Sequence, residues 1–419
     1  MASASAPRPD RTADAAFAAR AADLDARDPL AAYPARFIGH DDPEIVAYLD
    51  GNSLGRPPKA AARRMADLVE QQWGRRLIRG WDEGWFDLPL TIGDRLARTV
   101  LGAAPGQATI GDSTTVLLFK LISGGLDLRP GRTEIVLDRE NFPTDRYLLE
   151  SIAAQRGLTL RWLEPDPALG VTTADLDSVI GEQTALVVLS HVAYRSGFLV
   201  DAPAAAQAAH AAGALLLLDL CHSAGSVELA LDEWDVDLAV GCTYKYLNGG
   251  PGAPAFAYVA ARHQADFAQP IWGWMGAADS FAMGQGYEPS PGIRRIISGT
   301  PAITGMVAIE DTLDMLDEVG MAAVRAKSVA LTSFAQDAAA EVLAPFGAVL
   351  SSPSDPAMRG GHITLDHPDF RAVVARLWER GVIPDFRDPT GIRLGLSPLS
   401  TTFAETWAGI EAIAEELSA

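Results

Sequence analysis

Asp219 is a charged residue in a setting where a charge needs a chemical reason. It closes the most apolar run of the chain, "ALLLLDL" at 214–220. A carboxylate left unpaired in such dry surroundings is unfavourable, so Asp219 requires a cation or a hydrogen-bond donor beside it. A plainer role, in which the carboxylate caps the following turn, fits the same position.

Lys245 is the candidate for the positive group. It follows the run "DLAVGCT" at 237–243, lies between Tyr244 and Tyr246, and precedes the glycine-rich turn "NGGPGAP". A lone lysine at the end of a strand is usually a solvated surface residue. Here the aromatic neighbours and the scarcity of polar ones favour a nucleophilic amine.

An aldehyde cofactor would give both residues a role. A lysine that forms a Schiff base and an aspartate that pairs with the ring nitrogen are the arrangement used with pyridoxal 5′-phosphate (PLP). Positions 219 and 245 are separated by the length of one crossover between neighbouring strands. The pair therefore predicts a PLP site.

Two further stretches could complete such a site. The segment "GDSTTVLLFKL" places Thr114 and Thr115 directly before an apolar helical run, where hydroxyls and free N–H groups bind phosphate. The same residues are also an ordinary helix cap. In "ENFPTDRY", Phe142 could stack on a pyridine ring and Asp145 could add a second carboxylate, although the stretch also fits a turn before a helix.

Two other patterns are set aside. The stretch "GPGAPA" at 250–255 leads into a strand instead of opening a helix, so it does not predict a dinucleotide site. Neither Cys221 with His222 nor His362 with His367 has a second ligand pair at a usual spacing, so no metal is expected.

The elements that must position these residues follow from the alternation of short apolar runs with helical segments. Continuous apolar runs separated by helices predict a doubly wound, mostly parallel α/β sheet. Ligands of such sheets bind beyond the carboxyl ends of the strands, where Ser190, Asp219 and the turn after 243 all point. The runs are "TEIVLD" (133–138), "LTLRWLE" (158–164), "TALVVLS" (184–190), "ALLLLDL" (214–220), "DLAVGCT" (237–243) and "AFAYVA" (255–260).

A change of character near residue 303 predicts a second unit. Some forty residues of helical periodicity, as two helices or one kinked helix, precede strand-like and helical stretches. We expect an N-terminal tail and arm at 1–56 that contributes to the small domain and the active site, a large PLP-binding domain at 57–302, and a smaller α+β domain at 303–419. The first twenty residues lack an apolar core and are interpreted as a frayed tail.

Composition narrows the partners. The 419 residues carry 34 Lys and Arg against 54 Asp and Glu, a net charge of −20, which disfavours nucleic acid and anionic membranes. Two cysteines are too few for a disulfide framework, and no apolar run is long enough to span a bilayer. We expect a cytoplasmic protein that acts on a small molecule.

Beyond these arguments, the chain resembles the kynureninases, PLP enzymes of the aspartate-aminotransferase fold (fold type I). The combination of GNSLG with the D-L-x-H and S-Y-K-Y-L-N-like blocks is specific to that family, and Thr243 stands where many relatives have serine. The matching stretches, which cover nearly the whole chain beyond residue 40, are "LDGNSLGRPP" (49–58), "NFPTDRY" (141–147), "SHVAYRSG" (190–197), "DLCHSAGSVELALDEWDVDLAVGCTYKYLNGGPG" (219–252), "IWGWMG" (271–276), "SGTPAI" (298–303) and "GIRLGLSPL" (391–399).

The resemblance implies a cofactor role for each matching residue. Lys245 would hold the cofactor, Tyr244 would contact the phosphate and take part in proton transfer, and Asp219 would pair with the ring nitrogen. The other implied cofactor contacts are Asp145, His222, Thr114, Thr115, Ser190 and the stacking Phe142, with Trp274 and Thr300 reaching the phosphate from the neighbouring subunit of a homodimer.

It also implies a substrate side and an activity. Arg393 would grip the substrate carboxylate, and Asn52, Ser53 and Trp73 would line the substrate. The implied reaction is hydrolysis of the Cβ–Cγ bond of L-kynurenine to anthranilate and L-alanine, in tryptophan catabolism and NAD biosynthesis. Trp73 takes the place of a histidine in animal relatives, which favours kynurenine over 3-hydroxykynurenine.

Two other functions stay open at this stage. A different fold-type-I enzyme, such as a cysteine desulfurase or an aminotransferase, would share the lysine after a strand. A desulfurase needs a cysteine in the C-terminal half, and none follows Cys242. A non-catalytic PLP-binding regulator would lack the substrate arginine, whereas Arg393 is present.

Overall fold

The computed structural model describes residues 11–419. Residues 1–10 of the predicted tail lie outside this range. The strands in the described part of the chain are β1 (Ala47–Tyr48), β2 (Ala108–Ile110), β3 (Glu134–Asp138), β4 (Thr159–Leu163), β5 (Thr184–Ser190), β6 (Leu215–Asp219), β7 (Leu238–Gly241), β8 (Phe256–Val259), β9 (Val349–Leu350), β10 (His362–Asp366), β11 (Val382–Ile383), β12 (Asp385–Arg387) and β13 (Gly391–Gly395).

Helices cover both faces of the main sheet and one end of the molecule. The α-helices are α1 (Arg11–Arg27), α2 (Lys59–Asp67), α3 (Leu88–Leu96), α4 (Thr114–Asp127), α5 (Pro143–Arg156), α6 (Thr173–Val179), α7 (Ala202–Ala211), α8 (Ala261–Gln264), α9 (Ile303–Met306), α10 (Ile309–Val319), α11 (Met321–Val342), α12 (Phe370–Glu379) and α13 (Phe403–Ser418).

The six predicted apolar runs form six of the seven strands of one sheet. Its order is β2-β8-β7-β6-β5-β3-β4, and the five strands from β7 to β4 are parallel, whereas β8 runs antiparallel to both neighbours. The predicted mostly parallel α/β sheet is therefore confirmed. The short strand β2 has no counterpart among the predicted runs, because three residues are too few to show a period.

Burial on both faces explains why these strands read as continuous apolar runs. In β6, Leu215 and Leu217 pack in the core that α4 and α5 share, while Leu216 and Leu218 pack in the core on the opposite face, with α7. All four side chains are fully buried. Successive strand residues point to opposite faces, so only a sheet covered on both sides needs leucine at every position.

A second core surrounds the C-terminal four-stranded sheet, whose order is β12-β13-β10-β9 with antiparallel pairing throughout. The predicted helical stretch becomes α10 and α11, which are separated at Gly320, where φ is +76°. A left-handed residue ends a helix, and glycine adopts that conformation without strain. The chain therefore forms two main helices here, with the short α9 before them.

The N-terminal segment joins this second core. Helix α1 lies where a frayed tail was expected, so that expectation is wrong for residues 11–20. Phe17 stacks on Trp407 of α13 with ring centroids 5.4 Å apart. Further along, β1 pairs in parallel with β11, with Ala47 opposite Val382. The alanine-rich sequence of α1 favours a helix, and packing of its apolar face against this core stabilises that helix.

Candidate active site

Lys245 and His222 meet beyond the carboxyl ends of β6 and β7. Lys245 Nζ lies 3.2 Å from His222 Nε2. His222 is buried, and burial followed by the charge of Lys245 lowers the pKa of its ring well below the usual value. The imidazole is therefore neutral and can accept a hydrogen bond from the amine. Lys245 itself remains partly exposed, so a ligand can reach it.

Asp219 lies at the tip of β6, directly opposite Ser190 of β5 in the sheet register. Its Oδ1 accepts a hydrogen bond of 2.7 Å from the Cys221 N–H. Asp145 lies beside it, and burial followed by the charge of Asp219 raises the pKa of Asp145 well above its usual value. Asp145 is thus a neutral acid beside the carboxyl group of Asp219, and one oxygen of the Asp145 carboxyl group has no hydrogen-bond partner.

Asn141 is a polar residue of this site that sequence reasoning missed. Ser190 Oγ donates a hydrogen bond of 2.7 Å to Asn141 Oδ1, which also accepts from the Phe142 N–H. Asn141 is buried, and its Nδ2 has no partner in the described structure. An unpartnered amide donor at that depth indicates a place for a ligand acceptor. The signal was present, because Asn141 opens the "NFPTDRY" stretch.

A cavity of about 340 Å³ lies at the N-terminus of α4. Thr114 and Thr115 line it together with Tyr244 and Thr300. Ser113 caps the helix, its Oγ accepting from the Val116 N–H at 3.4 Å. Free helical N–H groups, hydroxyls and the positive end of the helix dipole together suit a phosphate.

Arg393 is held on the opposite side, in β13 of the smaller sheet. Only 1% of its surface is exposed. Its Nε donates to Asp385 Oδ2 at 2.7 Å, its Nη1 to the Tyr194 carbonyl at 2.6 Å and its Nη2 to Ser53 Oγ at 3.0 Å. Asn52, adjacent to Ser53, is fully buried, and neither its Oδ1 nor its Nδ2 has a partner.

Three of the predicted residues are less closely joined to this group. Phe142 is partly exposed and meets the ring of Tyr194 edge-on, with centroids 5.5 Å apart. Trp73 is 54% exposed on a stretch of wide π-type turns at Leu68–Arg76. Trp274 lines a different cavity, with residues 277–280 and 282–288. Within one chain the site therefore consists of the lysine, aspartate, threonine and arginine groups.

Among residues 11–419, no cluster of His, Cys, Asp or Glu side chains is placed to hold a metal ion. In the same range no helix is both long and apolar enough to cross a membrane. The two cysteines, Cys221 and Cys242, are both buried and free.

The class-V aminotransferase fold accounts for the order of the main sheet, the turn that carries Lys245 and the cavity at the N-terminus of α4. A model of that family matches residues 98–360. A model of the kynureninase C-terminal domain matches residues 324–413. The chain belongs to the kynureninase family: it is 41% identical over 401 residues to a kynureninase of Pseudomonas fluorescens and 42% identical to one of Burkholderia pseudomallei (strain K96243), each match covering 94% of both chains.

Solved structures confirm the fold. A cystine C-S lyase carrying glycine covalently linked to PLP superposes with a TM-score of 0.77 at 19% identity, covering 92% of this chain and 98% of that one. A cysteine desulfurase from Escherichia coli gives a TM-score of 0.78 at 17% identity, covering 93% and 98%. At such identities the likeness concerns architecture alone.

Proposed function

We propose that this chain is a PLP-dependent kynureninase, which hydrolyses the Cβ–Cγ bond of L-kynurenine to give anthranilate and L-alanine. The observation that carries the proposal is the identity of 41–42% to kynureninases over 94% of the chain. A cysteine desulfurase needs a catalytic cysteine in the C-terminal half of the chain. No cysteine follows Cys242, so this alternative lacks its catalytic group.

The residues of the site fit PLP. The cavity at α4 suits the phosphate, Lys245 offers the amine, and Asp219 offers a carboxylate to the ring nitrogen. The unpartnered atoms of Asn141 and Asp145 are buried polar groups that a bound cofactor would satisfy. When bound, PLP supplies an electron sink for negative charge that develops on the substrate.

Each side chain has a task in the reaction. Asp219, at the tip of β6, would pair with the ring nitrogen of bound PLP and favour its protonated form, while burial and the charge of Asp219 raise the pKa of the neighbouring Asp145. With substrate and cofactor bound, Lys245 would move the α-proton as a general acid and base, with the neutral His222 within hydrogen-bond distance. Burial raises the pKa of Tyr244, so its hydroxyl stays protonated. After water has added to the γ-carbonyl and the Cβ–Cγ bond breaks, this hydroxyl would donate a proton to Cβ.

The substrate carboxylate is assigned to Arg393, with Asn52 and Ser53 beside it. A guanidinium binds a carboxylate through two parallel hydrogen bonds, which fixes both position and orientation. Release of fluorescent anthranilate from L-kynurenine by the purified, PLP-loaded protein tests the proposal. A protein that binds PLP and amino acids but releases no anthranilate would contradict it.

Substrate preference, assembly and location belong to the same proposal. Trp73 and Thr300 are assigned to the aromatic ring, so kcat/KM for L-kynurenine is expected to exceed that for 3-hydroxykynurenine. A homodimer in which Trp274 and Thr300 reach the neighbouring active site is supported by the exposure of Trp274 and of Trp272 beside it. The free, buried cysteines support the cytoplasm.

A further inference from the structure

The substrate arginine has an aspartate fixed to one of its edges. Asp385 of β12 and Arg393 of β13 are directly opposite in the antiparallel register. Asp385 Oδ2 accepts from Arg393 Nε at 2.7 Å and also contacts Nη2. The Nε–Nη2 edge of the guanidinium is therefore occupied by a carboxylate of the chain itself.

The other edge carries only uncharged acceptors. Nη1 donates to the carbonyl of Tyr194 at 2.6 Å, and Nη2 donates to Ser53 Oγ at 3.0 Å. A carboxylate accepts stronger, charge-assisted hydrogen bonds from a guanidinium than a carbonyl or a hydroxyl does. An incoming carboxylate can therefore replace these neutral acceptors, whereas it would compete with Asp385 on equal terms.

Asp385 does not neutralise Arg393 completely, because a second arginine shares it. Arg387 Nε lies 3.0 Å from the same Asp385 Oδ2. One carboxylate oxygen between two guanidinium groups leaves Arg393 attractive to a further anion. Arg393 is almost fully buried, and a buried guanidinium without a counter-charge would be strongly destabilising. Asp385 thus stabilises the buried guanidinium of Arg393 and fixes its orientation before the substrate binds.

We propose that Asp385 is a positioning residue that holds the Nε–Nη2 edge of Arg393 and thereby presents the Nη1–Nη2 edge to the substrate α-carboxylate, with Arg387 limiting how far Asp385 neutralises it. The inference rests on the proposed function for the identity of the substrate. Among residues 11–419, the side chain of Asp385 forms its hydrogen bonds and ion pairs with Arg393 and Arg387, so we expect it to affect carboxylate binding and not Lys245.

The test compares two ligands that differ by the carboxylate. L-Alanine carries it and ethylamine does not, and binding of each to the PLP-loaded protein is followed by the visible absorbance of the cofactor. For Asp385→Ala we expect the Kd of L-alanine to rise by about 10-fold or more, with the Kd of ethylamine nearly unchanged. Asp385→Asn, which keeps the shape without the charge, is expected to lie in between.

Two further variants make the result decisive. Arg387→Gln leaves the Asp385–Arg393 contact in place and is expected to weaken L-alanine severalfold. Asp337→Asn breaks an exposed ion pair with Arg20 on another surface and should change neither ligand. Equal weakening of L-alanine and ethylamine in Asp385→Ala, or an unchanged L-alanine Kd in both Asp385→Ala and Arg387→Gln, would overturn the inference. Absence of anthranilate release by the unmodified protein would instead count against the proposed substrate, while the alanine and ethylamine comparison would still stand.

Discussion

The amine of Lys245 and the imidazole of His222 lie 3.2 Å apart and cannot both be positively charged without strong repulsion. Burial resolves this conflict by keeping His222 neutral, so the protonated amine has an acceptor and the free amine a neighbour of no charge. Asp145 meets the same conflict with opposite sign, because burial and the charge of Asp219 raise its pKa and favour its neutral form. Proton positions at the site are therefore set before any ligand binds.

Lys245→Ala tests the centre of the site. We expect loss of turnover by at least about 10³-fold, because the variant lacks both the covalent attachment and the general acid and base. It should also lose the visible absorbance of cofactor bound through the lysine, as measured by a spectrum of the PLP-saturated protein. Lys59→Ala, at an exposed lysine, is the control. Full activity in Lys245→Ala would refute the assignment.

Arg393→Ala tests the carboxylate contact. Hydrogen bonds to a charged group contribute about 1.5–3 kcal/mol, so KM for L-kynurenine should rise by about 10- to 100-fold. Steady-state kinetics measures it, with Arg371→Ala at an exposed ion pair as the control. Because Asp385 would keep only Arg387 as an ion-pair partner, the melting temperature is measured alongside. A KM equal to that of the unmodified protein would remove Arg393 from the substrate site.

At the scale of elements, a charge cluster ties the strands together at the end of the sheet away from the active site. Asp237, buried just before β7, accepts hydrogen bonds from His210 Nε2 at 2.8 Å, His263 Nε2 at 2.7 Å and the Leu216 N–H at 2.8 Å. Arg262 Nη2 adds a fourth at 2.7 Å. The carboxylate thus joins α7, α8 and β6 to the start of β7.

The cluster predicts how stability depends on pH. Burial alone would raise the pKa of Asp237, but the bonds from His210, His263 and Leu216 outweigh it and lower the pKa below its usual value. Its contribution is therefore present above about pH 4, the unfolded pKa, and is lost as the pH falls through the folded value. The bond to Asp237 raises the pKa of His210, so that contribution is present below about pH 6.5 and is lost as the pH rises through the folded value.

Asp237→Asn is the matching variant. Removing one partner of a buried ion pair costs about 3–5 kcal/mol, so its free energy of unfolding at pH 6 should fall by about that amount. Urea unfolding between pH 3 and 8 measures it, and the difference from the unmodified protein should shrink below about pH 4. Asp127→Asn, at an exposed pair with Arg156, is expected to change stability by less than about 1 kcal/mol. A constant difference at all pH values would contradict the assignment.

The elements show which contacts a sequence can predict. The four leucines Leu215–Leu218 predict a strand that is covered on both faces, because each of their side chains must then be apolar. Asp219 is the one charged residue of that run. Asp385 does not stand out, because its meeting with Arg393 depends on the register of β12 against β13. Asn141 looks like an ordinary turn residue in "NFPTDRY", since its unpartnered amide appears only in the fold, where Ser190 lies beside it.

At the scale of the whole molecule, exposed aromatic side chains concentrate on one segment. Trp272, Trp274 and Phe281 are 65%, 38% and 64% exposed, although large apolar groups are normally buried. Thr300 lines the cavity at α4 of its own chain. The placement of Trp73 and Trp274 around a shared site depends on a second copy, which one sequence cannot supply. The division at residues 57 and 303 likewise stays a prediction.

The proposed homodimer can be tested by its mass in solution. We expect a mass in solution of twice the 44.4 kDa of one chain, by light scattering. Trp274→Ala should shift the equilibrium toward the single chain and weaken PLP binding, because the predicted contact to the neighbouring phosphate site is lost. Trp378→Ala, at an exposed tryptophan on α12, serves as the control for mass. A dimer that forms and binds PLP equally well in Trp274→Ala would contradict the shared site.

The parallel pairing of β1 with β11 has a consequence for synthesis on the ribosome. Residues 47 and 48 leave the ribosome 335 residues before their partners at 382 and 383. Until then Ala47 and Leu49, which are fully buried in the finished protein, lack the β11 part of the core that covers them. The nascent chain must therefore carry β1 without its partner strand while the residues between them are synthesised.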